Sequence, residues 1–261
     1  LHSLSRQVPT FKALFSKEGL SKKTNSPSND EYILTSKKIT TNKLITLSQS
    51  SEPPEIEPKI INTIEELNIF VEEILKYKDA EKPIAIDTET TSLNPFKAEL
   101  VGLGFCFGKA LQDIVYIPIG HRKKEDDLIE TNHINQLKIE EVIYALQNWF
   151  SSKENPKTLQ NAKYDRLILL RHGIVLEGVV IDTLLADYIC DATVKHSLDE
   201  IAYREFGFKP NSFSDIVKKG EDFSSVDIKT ASMYCGMDVY LTRKLAIIYI
   251  KRLKDISTKS L

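Results

Sequence analysis

Apolar and polar positions change their period several times along the chain, and each change marks an element. In NTIEELNIFVEEILKYKD, Ile64, Leu67, Phe70, Val71 and Leu75 recur every three or four residues, which puts them on one face of a helix. Thr63 precedes them with Glu66 three positions on, the spacing of a capping box. Three apolar runs follow, PIAIDTE, ELVGLGFCFG and DIVYIPIG, parted by SLNPFK and GKALQD. Short runs joined by turn residues predict an antiparallel meander. HRKKEDDLIETNH is polar and reads as a loop, and IEEVIYALQNWFSS returns to the helical period. KTLQNA predicts a fourth strand, parallel because a helix precedes it. KYDRLILLRHGI predicts a helix ended by Gly173. VVIDTLLADYIC begins extended and turns helical, and HSLDEIAYREFG reads as a short helix. The pattern from FSSVDIK onward predicts a long helix begun near Ser225 or Asp227.

Helix, three strands, helix, strand and then helices predict an α/β layer fold, a mixed β-sheet flanked by helices. Residues 1–58 keep no such period and are rich in Ser, Thr, Asn, Lys and Pro. They predict a flexible linker with one short strand at ITTNKLITL, and residues 59–261 form the folded domain.

Composition narrows the class without choosing a function. The 261 residues are 41% hydrophobic and 28% charged, ordinary for a soluble globular protein. No apolar run reaches about 18 residues, so no membrane helix is expected. The first residues show no signal-peptide pattern, and the absence of an initial Met suggests a fragment or processed chain. Three cysteines without a CxxC pair argue against a disulfide framework or a thiolate zinc site and for a reducing cytoplasm. Cys190 and Cys235 read as small core residues. A net charge of -2 neither announces nor excludes a nucleic-acid partner, because local distribution decides that.

The candidate chemistry lies in three stretches. IAIDTETTSL is an apolar strand ending in Asp87 and Glu89. Residues i and i+2 of a strand share a face, so two like charges project side by side. NAKYD puts Asp165 in the first turn of a helix, and YCGMD puts Tyr234 and Asp238 one helical turn apart. Four converging carboxylates suit hard divalent cations. Two such ions about 3.5–4 Å apart clamp the attacking and leaving oxygens of a phosphoryl transfer and would relieve the strand-end repulsion. Each stretch alone has a plainer reading. DTE fits an exposed turn or cap, Asn161 and Asp165 fit capping residues, Tyr234 a core aromatic and Leu93 a core leucine. Lys153, Lys157, Lys163, Arg166 and Arg171 form either a solvated face or a DNA-facing rim. His196 reads as a helix-start residue. Gly102 and Gly104 lie mid-strand with no helix following, so they are no dinucleotide fingerprint.

In this order DTET, NxKYD and YxxxD resemble the DEDDy 3′–5′ exonucleases, which have the ribonuclease H-like fold. IDTLLADYI, HSLDEIAYREFG, FSDIVKKG and residues 223–245 are similar to the proofreading exonuclease domain of bacterial family A DNA polymerases (DNA polymerase I). The resemblance spans residues 60–253. LHSL at the start resembles the end of the 5′-nuclease domain that precedes this one, so residues 1–58 would be the linker after it, and the chain stops where the polymerase domain would begin.

The resemblance implies two metal ions, Mg²⁺ or Mn²⁺, with Asp87 bridging both. It implies that Glu89 and Asp238 ligate the first ion, that Glu89 also meets the terminal 3′-hydroxyl, and that Asp165 holds the second ion largely through water. Tyr234 would orient the attacking water, since a phenol with pKa ≈ 10 is a poor base at neutral pH. Thr90 would offer a backbone contact to the terminal nucleotide, Leu93 would pack on its base and Asn161 would make a polar contact near the scissile end. The implied reaction releases nucleoside 5′-monophosphates from a single-stranded or frayed DNA 3′ end. The implied partner is the polymerase domain of the same full-length chain, and the implied state is a monomer. Two alternatives stand beside this. One is an exoribonuclease resembling RNase D, although the stretch before Tyr234 lacks the Trp and Arg-Pro signature of that group. The other is a catalytically silent nucleic-acid-binding module, which requires a lost carboxylate, and none is lost. Removing Asp165 is expected to relax a repulsive cluster, so Asp165→Ala should hold or gain stability without metal.

Overall fold

A computed structural model describes residues 52–108, 113–122 and 134–259. Residues 1–51 of the expected 1–58 linker, its short strand, and most of the HRKKEDDLIETNH loop lie outside the described residues. In chain order the elements are β1 (Lys59–Ile60), α1 (Ile64–Lys76), β2 (Ile84–Thr90), β3 (Leu100–Cys106), β4 (Ile114–Pro118), α2 (Ile139–Phe150), β5 (Lys157–Leu159), α3 (Ala162–Arg171), β6 (Val179–Asp182), α4 (Thr183–Cys190), α5 (Leu198–Phe206), α6 (Phe213–Ile216), a 3₁₀ turn (Phe223–Ser225) and α7 (Ile228–Lys259).

The local signals act as their chemistry requires. Thr63 Oγ1 accepts from the Glu66 N–H at 3.3 Å, and its hydroxyl donates to Glu66 Oε2 at 3.3 Å. At the start of α7, Asp227 Oδ1 accepts from the Thr230 N–H at 2.9 Å. Gly173, just past α3, takes a left-handed φ of 78°, which glycine adopts without a Cβ penalty.

The sheet has the order β1-β4-β3-β2-β5-β6. β2, β3 and β4 form the antiparallel meander, while β1, β5 and β6 pair parallel with their neighbours. Strand alternation sorts the two faces. Ile84 and Ile86 join Leu103 and Phe105 in a core closed by Leu67, Phe70 and Ile74 of α1, Leu146 and Trp149 of α2, and Ile168 of α3. Ala85 and Cys106 face the other way, against Val239 of α7. Both faces are therefore covered, as a mixed sheet of this kind requires. Ile56, read from sequence as linker, is buried in this second cluster, so packed chain begins ahead of β1. No helix among the described residues is long and apolar enough to cross a membrane.

Two readings of charged side chains change. Lys157 is not on a basic rim. It is buried, its Nζ donates to Ser152 O at 3.0 Å and Asn155 O at 2.8 Å, and it lies 4.4 Å over the Trp149 ring. Arg171 is spent on the turn before β3, donating to Pro95 O, Ala98 O and Glu99 Oε1.

Candidate active site

The face of β2 that carries Ala85 also carries Asp87 and Glu89, because side chains alternate along a strand. That face meets α7, and two glycines of β3 make room on it, Gly104 for the helix and Gly102 for Tyr116 of β4. Gly104 pairs with Asp87 and Gly102 with Glu89 in the β2–β3 ladder. A Cβ at Gly104 would strike Cys235 Sγ, and one at Gly102 would strike the Tyr116 hydroxyl. Tyr234 and Asp238 reach the same place from α7.

Asp165 arrives from the other side. β5 pairs with β2 only at Ile84 and Ala85. Beyond that point the Thr88 N–H has no strand partner on that side, and Asp165 Oδ1 accepts it at 3.2 Å together with the Thr88 hydroxyl at 2.8 Å. The bend that delivers α3 passes through Asn161, whose φ of 64° is the one left-handed non-glycine backbone among the described residues. Asn tolerates this region better than most residues. Asp182 secures it: Oδ1 accepts from the Asn161 N–H at 3.1 Å and Oδ2 from the Ala162 N–H at 2.9 Å. The same Oδ1 caps α4 through the Leu184 N–H at 3.0 Å.

All eight residues singled out in the sequence line one cleft of about 680 Å³: Asp87, Glu89, Thr90, Leu93, Asn161, Asp165, Tyr234 and Asp238. Leu93 is no core leucine, being 96% exposed at the mouth. Tyr164 braces the strand end, with its hydroxyl 2.5 Å from Thr90 Oγ1 and 2.5 Å from Ser92 O. Sequence reasoning missed Thr88, Tyr164, Phe213 and Asp222 of the lining, and above all Cys235, which lies beside the acids. Cys235 was read as a core residue. It is buried, but its Sγ lies 3.8 Å from Asp87 Oδ2.

The electrostatics are those of charges crowded without compensation. Burial pushes Asp87 up to about 6, with the Cys235 thiol and the Thr88 N–H pulling it back. Burial and the Asp87 charge push Asp165 up to about 8 against the Thr88 hydrogen bonds. Glu89 is raised well above the carboxylate range by burial and then by Asp87, Asp238 and Asp165. Asp238 is raised well above it too, by burial, Asp87 and Asp199. Tyr234 is raised by burial and by the Asp238, Glu89 and Asp87 charges. Glu89 Oε1 is the buried side-chain oxygen among the described residues that has no hydrogen-bond partner. Four oxygen-bearing acids around an unsatisfied buried oxygen fit a hard divalent cation, which would supply both ligand bonds and neutralising charge.

A 3′–5′ exonuclease family pattern matches residues 58–253. The chain is 39% identical over 196 residues to DNA polymerase I of Synechocystis, 74% of this chain and 19% of that protein. It is 31% identical over 255 residues to DNA polymerase I of Borreliella burgdorferi, 97% of this chain and 25% of that one. It thus spans about a fifth to a quarter of the length of these relatives. Among solved structures, RNase D of Trypanosoma brucei in complex with RNA U12 is similar in fold, with a TM-score of 0.57 at 14% identity over 80% of this chain and 65% of that one. The sheet and its helices are ribonuclease H-like.

Proposed function

Since this chain belongs to the 3′–5′ exonuclease family and shares it with DNA polymerase I, we propose that it hydrolyses the last phosphodiester of a DNA 3′ end in a metal-dependent reaction. The products are nucleoside 5′-monophosphates, and the setting is proofreading beside a polymerase domain of the same full-length chain, as a monomer in the cytoplasm. One observation carries this reading: four acids converge on one cleft around a buried Glu89 oxygen that nothing in the protein satisfies.

Asp87, Glu89, Asp165 and Asp238 would hold the cations. Bound Mg²⁺ or Mn²⁺ would acidify water and neutralise phosphate charge. The side chains do the rest. Tyr234 keeps its proton at working pH, since burial and the neighbouring acids raise it, and so acts as a hydrogen-bond donor that orients water rather than as a base. Leu93 offers an exposed apolar surface to the terminal base, and stacking of that kind grips a strand without reading its sequence. Thr90, fixed by Tyr164, and Asn161, fixed by Asp182, offer polar contacts to the terminal nucleotide. Two unpaired nucleotides must enter the cleft, which favours single-stranded or frayed ends.

The test is a 5′-labelled single-stranded DNA incubated with Mg²⁺ or EDTA beside an RNA of equal sequence. A ladder shortening from the 3′ end of the DNA only with metal is expected. Faster loss of the RNA would favour an RNase D-like activity. No cleavage of either with Mg²⁺ or Mn²⁺ would favour a silent binding module.

A further inference from the structure

We propose that Cys235 makes this carboxylate site a trap for thiophilic divalent cations, Zn²⁺, Cd²⁺ or Co²⁺, held by Asp87, Glu89 and the Cys235 sulfur. The inference rests on the reading that these acids bind divalent cations and adds a ligand that reading does not use. Two independent observations support it. The donor atoms of Asp87, Glu89 and Cys235 all lie within 4.8 Å of one another. Glu89 Oε1 is buried with no partner, on a side chain only 7% exposed.

The spacing suits a small tetrahedral ion. Metal–sulfur and metal–oxygen bonds of about 2.3 and 2.1 Å at a tetrahedral angle separate S from O by about 3.6 Å. Cys235 Sγ and Asp87 Oδ2 are 3.8 Å apart, so a slight closing of the two side chains completes that geometry. Mg²⁺ gains nothing from sulfur, because hard cations take oxygen ligands, whereas Zn²⁺, Cd²⁺ and Co²⁺ bind thiolates well. As the sulfur–metal bond forms, the thiol proton leaves to solvent, so binding releases one proton from Cys235. The sulfur is where it is because Gly104, opposite Asp87, has no side chain to occupy the space.

Co²⁺ titrated into the full 261-residue chain under a non-thiol reductant tests this by absorbance. A thiolate-to-cobalt charge-transfer band in the near ultraviolet is expected. It should vanish in Cys235→Ala and in Cys235→Ser and persist in Cys190→Ser. Cd²⁺ affinity should fall about tenfold or more in Cys235→Ala, with Mn²⁺ affinity, read by water-proton relaxation, changing far less. Mn²⁺ binding by the unaltered chain with Co²⁺ giving no band would overturn this inference and leave the carboxylate reading standing. A band that survives both Cys235 variants would overturn it as well. Absence of binding by both Mn²⁺ and Co²⁺ would overturn the carboxylate reading and this inference with it.

Discussion

Asp165 Oδ1 accepts both hydrogen bonds that Thr88 can give, the backbone N–H at 3.2 Å and the hydroxyl at 2.8 Å. Thr88 stands between Asp87 and Glu89 on β2. Asp165 is therefore a joint between α3 and the strand end as well as a member of the acidic cluster. This alters the expectation that its removal simply relaxes repulsion.

Asp165→Ala leaves two buried donors without an acceptor, and each such orphan costs about 1–3 kcal/mol. Asp165→Asn keeps an oxygen for Thr88 and removes the repelling charge. In EDTA, scanning calorimetry should place the melting temperature of the Asn variant at or above that of the parent and the Ala variant below it. Both variants should lose cleavage in the gel assay. Equal melting temperatures for Ala and Asn would show that the Thr88 bonds contribute nothing.

Without metal, stability should fall as pH rises. Asp87 and Asp165 keep their protons in the folded state up to about pH 6 and about pH 8, whereas an unfolded Asp releases its proton near about 3.9. Across that window the folded state binds more protons than the unfolded one, so the slope of stability with pH is negative. Urea midpoints in EDTA should decline from about pH 4 to about pH 8, and saturating Mg²⁺ or Mn²⁺ should flatten the decline, since a ligand of the folded state stabilises it. A midpoint that climbs with pH in EDTA would refute the crowded-acid account.

Leu93 separates packing from binding. Because its side chain is 96% exposed, Leu93→Ala should leave the unfolding midpoint within about 0.5 kcal/mol of the parent. Losing the burial of a leucine side chain against the base costs about 1.5–3 kcal/mol, which should raise KM for a single-stranded 3′ end about tenfold or more. An unchanged KM would remove Leu93 from the substrate path.

Tyr234→Phe removes one hydroxyl and keeps the ring. If that hydroxyl orients water, kcat should fall by about 10²-fold while the pH profile keeps its shape, because the phenol does not titrate in the working range. If the parent's kcat rises with pH and that rise is lost in the Phe variant, Tyr234 acts instead as a base.

A fifth expectation lies away from the cleft. Asp187 is buried, with His196 Nδ1 at 2.5 Å, Arg204 Nη2 at 2.7 Å from both oxygens, and the Tyr249 hydroxyl at 2.6 Å. Burial raises its pKa, but these hydrogen bonds and the Arg204 charge outweigh burial and lower it. Removing one member strands the others, so Asp187→Ala should destabilise by about 3–5 kcal/mol in urea titration. The His196 carbonyl also accepts from Gln160 Nε2 at 2.9 Å, and Gln160 lines the cleft. His196 is thus more than the helix-start residue its sequence position suggests.

What the sequence made legible is what local periodicity encodes. The long helices α1, α2 and α7 and the β2–β4 meander follow from spacings of 3.6 and 2. So does the shared face of Asp87 and Glu89 and that of Tyr234 and Asp238. What stayed hidden is set by partners distant in sequence. β1, with two residues, and α6, with four, are too short to show a period. Thr88 and Cys235 join the site through the register of β2 against β3 and the approach of α7. Lys157 looked like surface charge for a different reason: its carbonyl partners, Ser152 and Asn155, are near in sequence, but the packing that buries Lys157 and Asn155 is not.

The two glycines of β3 limit how this site can drift in sequence. Gly104 makes room for the Cys235 sulfur beneath Asp87, and Gly102 makes room for the Tyr116 hydroxyl beneath Glu89, where it donates to His121 Nε2 at 2.7 Å. A larger residue at 104 is tolerable only with a smaller one at 235, and a larger one at 102 only with a smaller one at 116. Enlarging either glycine first passes through a clash, whereas trimming Cys235 or Tyr116 first leaves only a cavity, so the order of the two changes matters. The floor of the cleft is held by two compensating couples rather than by four independent residues.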